Sequence, residues 1–175
     1  MPELVVLGFK EMEKADQVVP ELEAMQREGL LDLADWARVI KRPDGKIDVR
    51  QATSTTGAGA AGGALWGMLF GLLFLMPLAG LAIGAVTGAI MGKLADYGID
   101  DKFIKDVGSQ ITPGSSALFV YVVRATGDRV VERLKPYNPQ LIRTSLSGDA
   151  EARLRAALEE PAAGTASAEA AQASA

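Results

Sequence analysis

The sequence contains no cysteine and no histidine among its 175 residues. The first absence excludes disulfides, thiolate catalysis and zinc–sulfur sites. The second removes the commonest general base and the commonest metal ligand. We therefore expect a protein that is not an enzyme and that holds neither a metal nor a cofactor.

Charge is also missing from one long stretch, since no Asp, Glu, Lys or Arg occurs between Arg50 and Lys93. Elsewhere charged residues are frequent, and the net charge is −4. An acidic balance without a basic run argues against a nucleic-acid partner. The first residues show no basic and apolar regions typical of a signal peptide, so any membrane insertion is expected to come from the charge-free stretch.

Glycine recurs at every fourth position of the charge-free stretch, in two series. A spacing of four places each series on one face of an α-helix. Large apolar residues fill most other positions of the first segment, and a face of small residues is typical of helices that pack closely in lipid. The two series are Gly59, Gly63, Gly67 and Gly71, followed by Gly80, Gly84, Gly88 and Gly92.

The two glycine series mirror each other about the bond between Leu75 and Met76, which predicts a glycine-zipper helical hairpin over residues 57–97. Each helix would be about 28 Å long at about 1.5 Å per residue, close to the roughly 30 Å hydrocarbon core of a bilayer. A membrane-spanning hairpin is favoured. Because the turn has no polar side chain, a re-entrant hairpin and one buried in a soluble oligomer stay open. Trp66 is interpreted as a lipid-facing or inter-hairpin packing residue.

The two segments that flank the hairpin are predicted to form one discontinuous soluble domain, over residues 1–56 and 98–160. The Ala-rich tail over residues 161–175 is expected to be disordered. Two continuously apolar runs, at residues 4–9 and 117–123, predict central strands. The order strand, helix, strand, strand, short helix, strand, helix, strand predicts an α+β fold with a ferredoxin-like antiparallel sheet. The predicted strands are 4–9, 33–41, 47–51, 117–123 and 140–146, and the predicted helices are 14–29, 102–110, 128–137 and 149–159.

Charged residues gather where the hairpin would meet the domain. They could bind a divalent ion or a lipid headgroup, but helix capping with solvated charges is the favoured interpretation. Basic residues on both flanks predict a domain on the cytoplasmic side of the inner membrane, with both termini there. Ser115 and Ser116, without histidine, are expected to form a turn before a strand rather than a nucleophile. The clustered residues are Asp96, Asp100, Asp101, Lys93, Lys102 and Lys105.

Three segments together resemble a bacterial family of uncharacterised membrane proteins, catalogued as a domain of unknown function. They are TGAGAAGGALWG at residues 56–67, YGIDDKFIK at 97–105 and PGSSALF at 113–119. The resemblance covers residues 3 to about 158. It implies a bacterial origin and membrane association, and it supplies no activity and no site residues.

The sequence therefore predicts a non-enzymatic, membrane-associated protein whose partners are the lipid bilayer and further copies of itself. A role in the envelope or in stress is a further hypothesis. One alternative is an oligomeric pore or transport component, although such pathways usually contain the ionisable residues that this hairpin lacks. The other is a membrane-tethered module whose sheet domain senses a small ligand.

Overall fold

The computed structural model describes residues 3–52, 66, 67, 69–71, 73, 99 and 101–160. Five strands form one sheet in the order β3-β2-β4-β1-β5. The strands are β1 (Glu3–Phe9), β2 (Leu31–Lys41), β3 (Ile47–Gln51), β4 (Ser115–Ala125) and β5 (Gln140–Thr144). The helices are α1 (Lys14–Arg27), α2 (Asp101–Gln110), α3 (Gly127–Leu134) and α4 (Gly148–Glu159), with a 3-10 turn over Lys135–Tyr137.

Every neighbouring pair of strands is antiparallel, which confirms the predicted α+β class with an antiparallel sheet. The strands β1 and β2 run parallel to each other with β4 between them. The two strands that the apolar runs predicted as central, β4 and β1, are inside the sheet, and β3 is at its edge.

Both faces of the sheet are covered. Because successive strand residues point to opposite sides, Leu4 and Val6 lie on one side of β1 and Val5 and Leu7 on the other. We call the side of Leu4 and Val6 the first face; it packs against α2 and residues near Trp66. The opposite side, the second face, packs against α1 and α3. A strand buried on both sides needs apolar residues at consecutive positions, which explains the unbroken run in β1.

The helix α1 begins before Pro20 and includes it, so the proline does not mark the start of the helix. The helix ends at Arg27, and Gly29, two residues later, has a φ of +72°, which glycine adopts without strain. The Leu30 N–H donates to the Met25 carbonyl at 3.0 Å, the long bond of a Schellman motif.

The predicted helix over residues 128–137 is divided. Its α-helical part, α3, ends at Leu134, and a 3-10 turn containing Pro136 follows. Proline has no N–H to donate and clashes with the preceding turn of an α-helix, so it favours this change. Asn138, with a φ of +51°, then turns the chain toward β5.

Most of the predicted hairpin over residues 57–97, and the tail over 161–175, lie outside the described residues. Across the part of the chain that is described, no helix combines the length and the apolar character needed to cross a membrane.

Candidate functional site

Part of the charge-free stretch is helical and packs on the first face of the sheet. We call its described residues, Trp66, Gly67, Leu69, Phe70, Gly71 and Leu73, the docked segment. Trp66, Leu69, Phe70 and Leu73 have the spacing i, i+3, i+4, i+7, which places them on one helix face. Each is at most 8% exposed, and all four belong to the core of the first face.

Trp66 is the centre of an aromatic cluster. Its ring stacks on Phe70 with centroids 5.6 Å apart and meets Phe119 of β4 edge-on at 6.1 Å. Phe70 also meets Phe119 edge-on, at 5.1 Å. Such geometries add about 0.5–1.5 kcal/mol per pair beyond the area that the rings bury. The interpretation of Trp66 as a lipid-facing or inter-hairpin residue is wrong, because its side chain is buried in the core of the sheet domain.

The indole of Trp66 has a charged partner. Its Nε1–H donates to Oδ2 of Asp35 at 2.8 Å, while Oδ1 of the same carboxylate accepts the backbone N–H of Trp36 at 2.8 Å. Trp66 is fully buried, so its N–H would lose its hydration without any replacement if this acceptor were absent. One carboxylate therefore joins the docked segment to β2.

A β-bulge directs Asp35 toward the docked segment. The ladder pairs Leu33 and Asp35 with consecutive residues of β4 and skips Ala34. Because side chains alternate between faces, one extra residue moves Asp35 to the first face and Trp36 to the second. Sequence reasoning missed this site, although the spacing of the buried residues Leu31, Leu33 and Trp36 breaks the period of two and could have indicated a bulge.

The helix α2 completes the layer over the first face. Its Phe103 and Val107 are buried against the sheet, whereas Lys102 and Lys105 are exposed. At Gly108, an added Cβ would lie 3.4 Å from Cδ1 of Leu73, so the glycine allows α2 to approach the docked segment closely.

The glycine face of the docked segment points away from the sheet. Gly67 is exposed, an added Cβ there would meet no atom of the described residues within 4 Å, and Gly71 is half-buried. The other predicted packing glycines, Gly59, Gly63, Gly80, Gly84, Gly88 and Gly92, lie outside the described residues.

The charged cluster predicted beside the hairpin is described only in part. Asp101 is the first residue of α2, and Lys102 and Lys105 follow on its exposed side. Asp96, Asp100 and Lys93 lie outside the described residues. Within the described part of the chain, no group of three acidic residues is placed to hold a metal ion.

The second face contains an ion pair with a nearly buried arginine that the sequence did not indicate. Arg38 on β2 is 8% exposed; its Nε donates to Oδ1 of Asp16 on α1 at 2.6 Å. Its Nη1 lies 3.2 Å from Oδ2 of Asp48 on β3 without the alignment of a hydrogen bond. Arg38 therefore ties a helix and the edge strand to the sheet.

A second cation links the two helices of this face. Arg133 of α3 contacts Glu28, at 2.6 Å, and Glu21. Hydrogen bonds with Glu28 and then with Glu21 raise the pKa of Arg133 above its ordinary value. The guanidinium therefore stays protonated in its contact with the two carboxylates.

Ser115 and Ser116 are the first residues of β4 and do not form the predicted turn; the turn lies just before them, where Gly114 has a φ of +85°. The hydroxyl of Ser115 donates to the Thr112 carbonyl at 2.6 Å, and that of Ser116 donates to the Glu11 carbonyl at 2.6 Å. Both hydroxyls therefore satisfy backbone groups of loops.

One family model matches the chain, over residues 60–159, and its description is "Protein of unknown function (DUF1269)". The match begins shortly before the docked segment and ends at the last residue of α4. Among curated proteins and among solved structures, nothing matches.

Proposed function

The chain belongs to the DUF1269 family of proteins of unknown function, and we propose that it is a non-enzymatic, membrane-associated protein that self-associates through the glycine face of residues 57–97. The sheet domain holds the start of this stretch, and the remainder enters the bilayer. The single observation that supports this most is the division of the docked segment into a bulky buried face and an exposed glycine.

The buried face explains how the stretch is anchored. Trp66, Leu69 and Phe70 fill the first face of the sheet, and the bond from Trp66 to Asp35 fixes the position of the segment. The sequence from residue 74 to residue 92 then continues without a charged side chain. At about 1.5 Å per residue, a stretch of this length suffices to enter the hydrocarbon core.

The exposed glycine explains how copies would meet. Where no side chain intervenes, two helix backbones approach closely, and in the part of the stretch that enters lipid this packing is the main attraction between helices. Gly67 is open on its outer side, so a second helix could approach it without rearranging the sheet domain.

Charge supports an orientation on the cytoplasmic side of the inner membrane. Lys102 and Lys105 are exposed on α2, in the layer that contains the docked segment. Basic residues beside a membrane contribute about 1 kcal/mol each in attraction to anionic lipid and favour the cytoplasmic side. We also assign the sheet to the ferredoxin-like plan, supported by the order β2-β4-β1-β5 within it. A role in the envelope or in stress remains part of the proposal.

Membrane fractionation tests the proposal. We expect the expressed chain to sediment with membranes, to resist extraction with alkaline carbonate and to require detergent for release. The matched control is a variant in which Ile83 and Val86 are both replaced by Asp, because charges within the stretch are costly in hydrocarbon. Recovery of the unaltered chain as a monomer without detergent would contradict both the membrane and the self-association parts of the proposal.

A further inference from the structure

The edge strand β3 has backbone groups directed away from the sheet, and the ladder identifies them. Arg42 N–H donates to the Lys46 carbonyl at one end of the β2–β3 ladder, and Ala52 N–H donates to the Trp36 carbonyl at the other. Hydrogen-bonded and non-bonded pairs alternate along an antiparallel ladder. The residues of β3 that bond to β2 are therefore Asp48 and Arg50.

The remaining residues of β3 direct their N–H and C=O groups outward. These are Ile47, Val49 and Gln51, and Val49 is 37% exposed although it is a large apolar residue. An edge with exposed backbone groups is a template for another strand. At the opposite edge of the sheet, in β5, the Leu141 carbonyl accepts a hydrogen bond from Arg155 of α4 at 3.1 Å.

The sequence of β3 is complementary to itself in one register. If two copies pair antiparallel with Val49 opposite Val49, then Ile47 faces Gln51 and all outward backbone groups are matched. In the same register Asp48 of each copy lies opposite Arg50 of the other. Two opposite-charge cross-strand pairs result, and such pairs stabilise a ladder whereas like charges destabilise it.

Charges within one copy favour the same arrangement. The ladder places Arg50 directly opposite Arg38 of β2, so two cations face each other across the strands. Asp48 contacts Arg38 through Oδ2, and its side chain is still 42% exposed. A second copy would bring its own Asp48 to Arg50 and supply the missing negative charge.

We propose that β3 pairs with β3 of a second copy about a two-fold axis at Val49, which joins two five-stranded sheets into one continuous sheet. An interface of this kind is isologous, because each copy presents the same surface to the other. The proposal uses a different surface from the glycine face and does not depend on membrane insertion.

Disulfide cross-linking of the full chain in mild detergent tests the pairing, since no native cysteine interferes. Opposed residues of this register would have Cα atoms about 5.5 Å apart, within disulfide range. We expect Val49→Cys chains to form covalent dimers under mild oxidation. The matched control is Val123→Cys, a strand valine that is 51% exposed and lies away from β3. Equal yields from the two variants would overturn the proposal.

The register has its own test. A mixture of Ile47→Cys and Gln51→Cys chains should cross-link several times more than either variant alone, because position 47 of one copy faces position 51 of the other. Two copies of position 47 would lie about 13 Å apart along the strands. Stronger linking of either variant alone would contradict this register.

A change of charge separates this interface from the glycine face. Arg50→Glu in the Val49→Cys chain should weaken dimer formation roughly tenfold at low salt, because two attractive pairs become repulsive. Gly67→Leu should leave the cross-link unchanged. If Gly67→Leu abolished the cross-link and Arg50→Glu did not, the pairing of β3 would be refuted while the proposed function would stand.

Discussion

The indole Nε1 of Trp66 and the carboxylate of Asp35 lie 2.8 Å apart, and this hydrogen bond joins the charge-free stretch to the sheet. Trp66 has no exposed surface, so its N–H depends on this acceptor. The two residues are separated by most of β2, all of β3 and the start of the glycine series. The contact therefore joins two parts of the chain that are distant in sequence.

Removal of the acceptor should loosen this contact. We expect Asp35→Ala to lower the free energy of unfolding by about 1–3 kcal/mol, the cost of an unsatisfied buried donor, and Asp35→Asn to cost less because an oxygen remains. Urea denaturation measures both. In a Trp36→Phe background the fluorescence of Trp66 alone reports the change. An unaltered midpoint in Asp35→Ala, or water-exposed emission from Trp66 before any substitution, would contradict the docked position.

The approach of α2 to the docked segment can be tested at Gly108. We expect Gly108→Val to destabilise the protein by about 1–3 kcal/mol, because its branched side chain would collide with Leu73. Gly108→Ala should be neutral or should stabilise by up to about 1 kcal/mol, since its Cβ just fits and alanine favours helix. Leu73→Ala added to Gly108→Val should recover part of the loss in a double-mutant cycle. Strictly additive effects would show that these residues do not meet.

The ion pair on the second face leads to an asymmetric prediction. Asp16→Ala removes one partner of a nearly buried guanidinium and should cost about 1–3 kcal/mol, less than a fully buried pair because Asp16 is 43% exposed. Arg38→Met removes the cation and should cost less, since a buried apolar side chain needs no partner. Thermal unfolding in both variants measures the difference. A larger loss in Arg38→Met than in Asp16→Ala would contradict this account.

Runs of apolar residues predicted the central strands well, because burial on both faces of a sheet leaves a direct trace in sequence. The runs in β1 and β4 predicted central strands, and Gly29 and Gly114 stand where positive φ values are needed. Each of these signals comes from residues that are close together in the sequence.

The contact between Asp35 and Trp66 could not be predicted in this way. It depends on the skipped residue Ala34, which reverses the facing of the following positions. It also depends on a helix face whose apolar residues suit lipid and protein equally well. The pattern of Trp66, Leu69, Phe70 and Leu73 predicts a buried face and contains no information on what buries it.

The central claim, self-association through the glycine face, is tested most directly at Gly67. An added Cβ at Gly67 meets no atom of the described residues within 4 Å, so we expect leucine there to leave the sheet domain folded. Gly148→Leu is the matched control, since Gly148 at the start of α4 is also open. Light scattering on the detergent-solubilised chain measures the size of the assembly. We expect Gly67→Leu to reduce the assembly to the dimer held by β3 or to a monomer, with an unchanged urea midpoint. The assembly formed by Gly148→Leu should keep its full size. An assembly of full size in Gly67→Leu would contradict the claim.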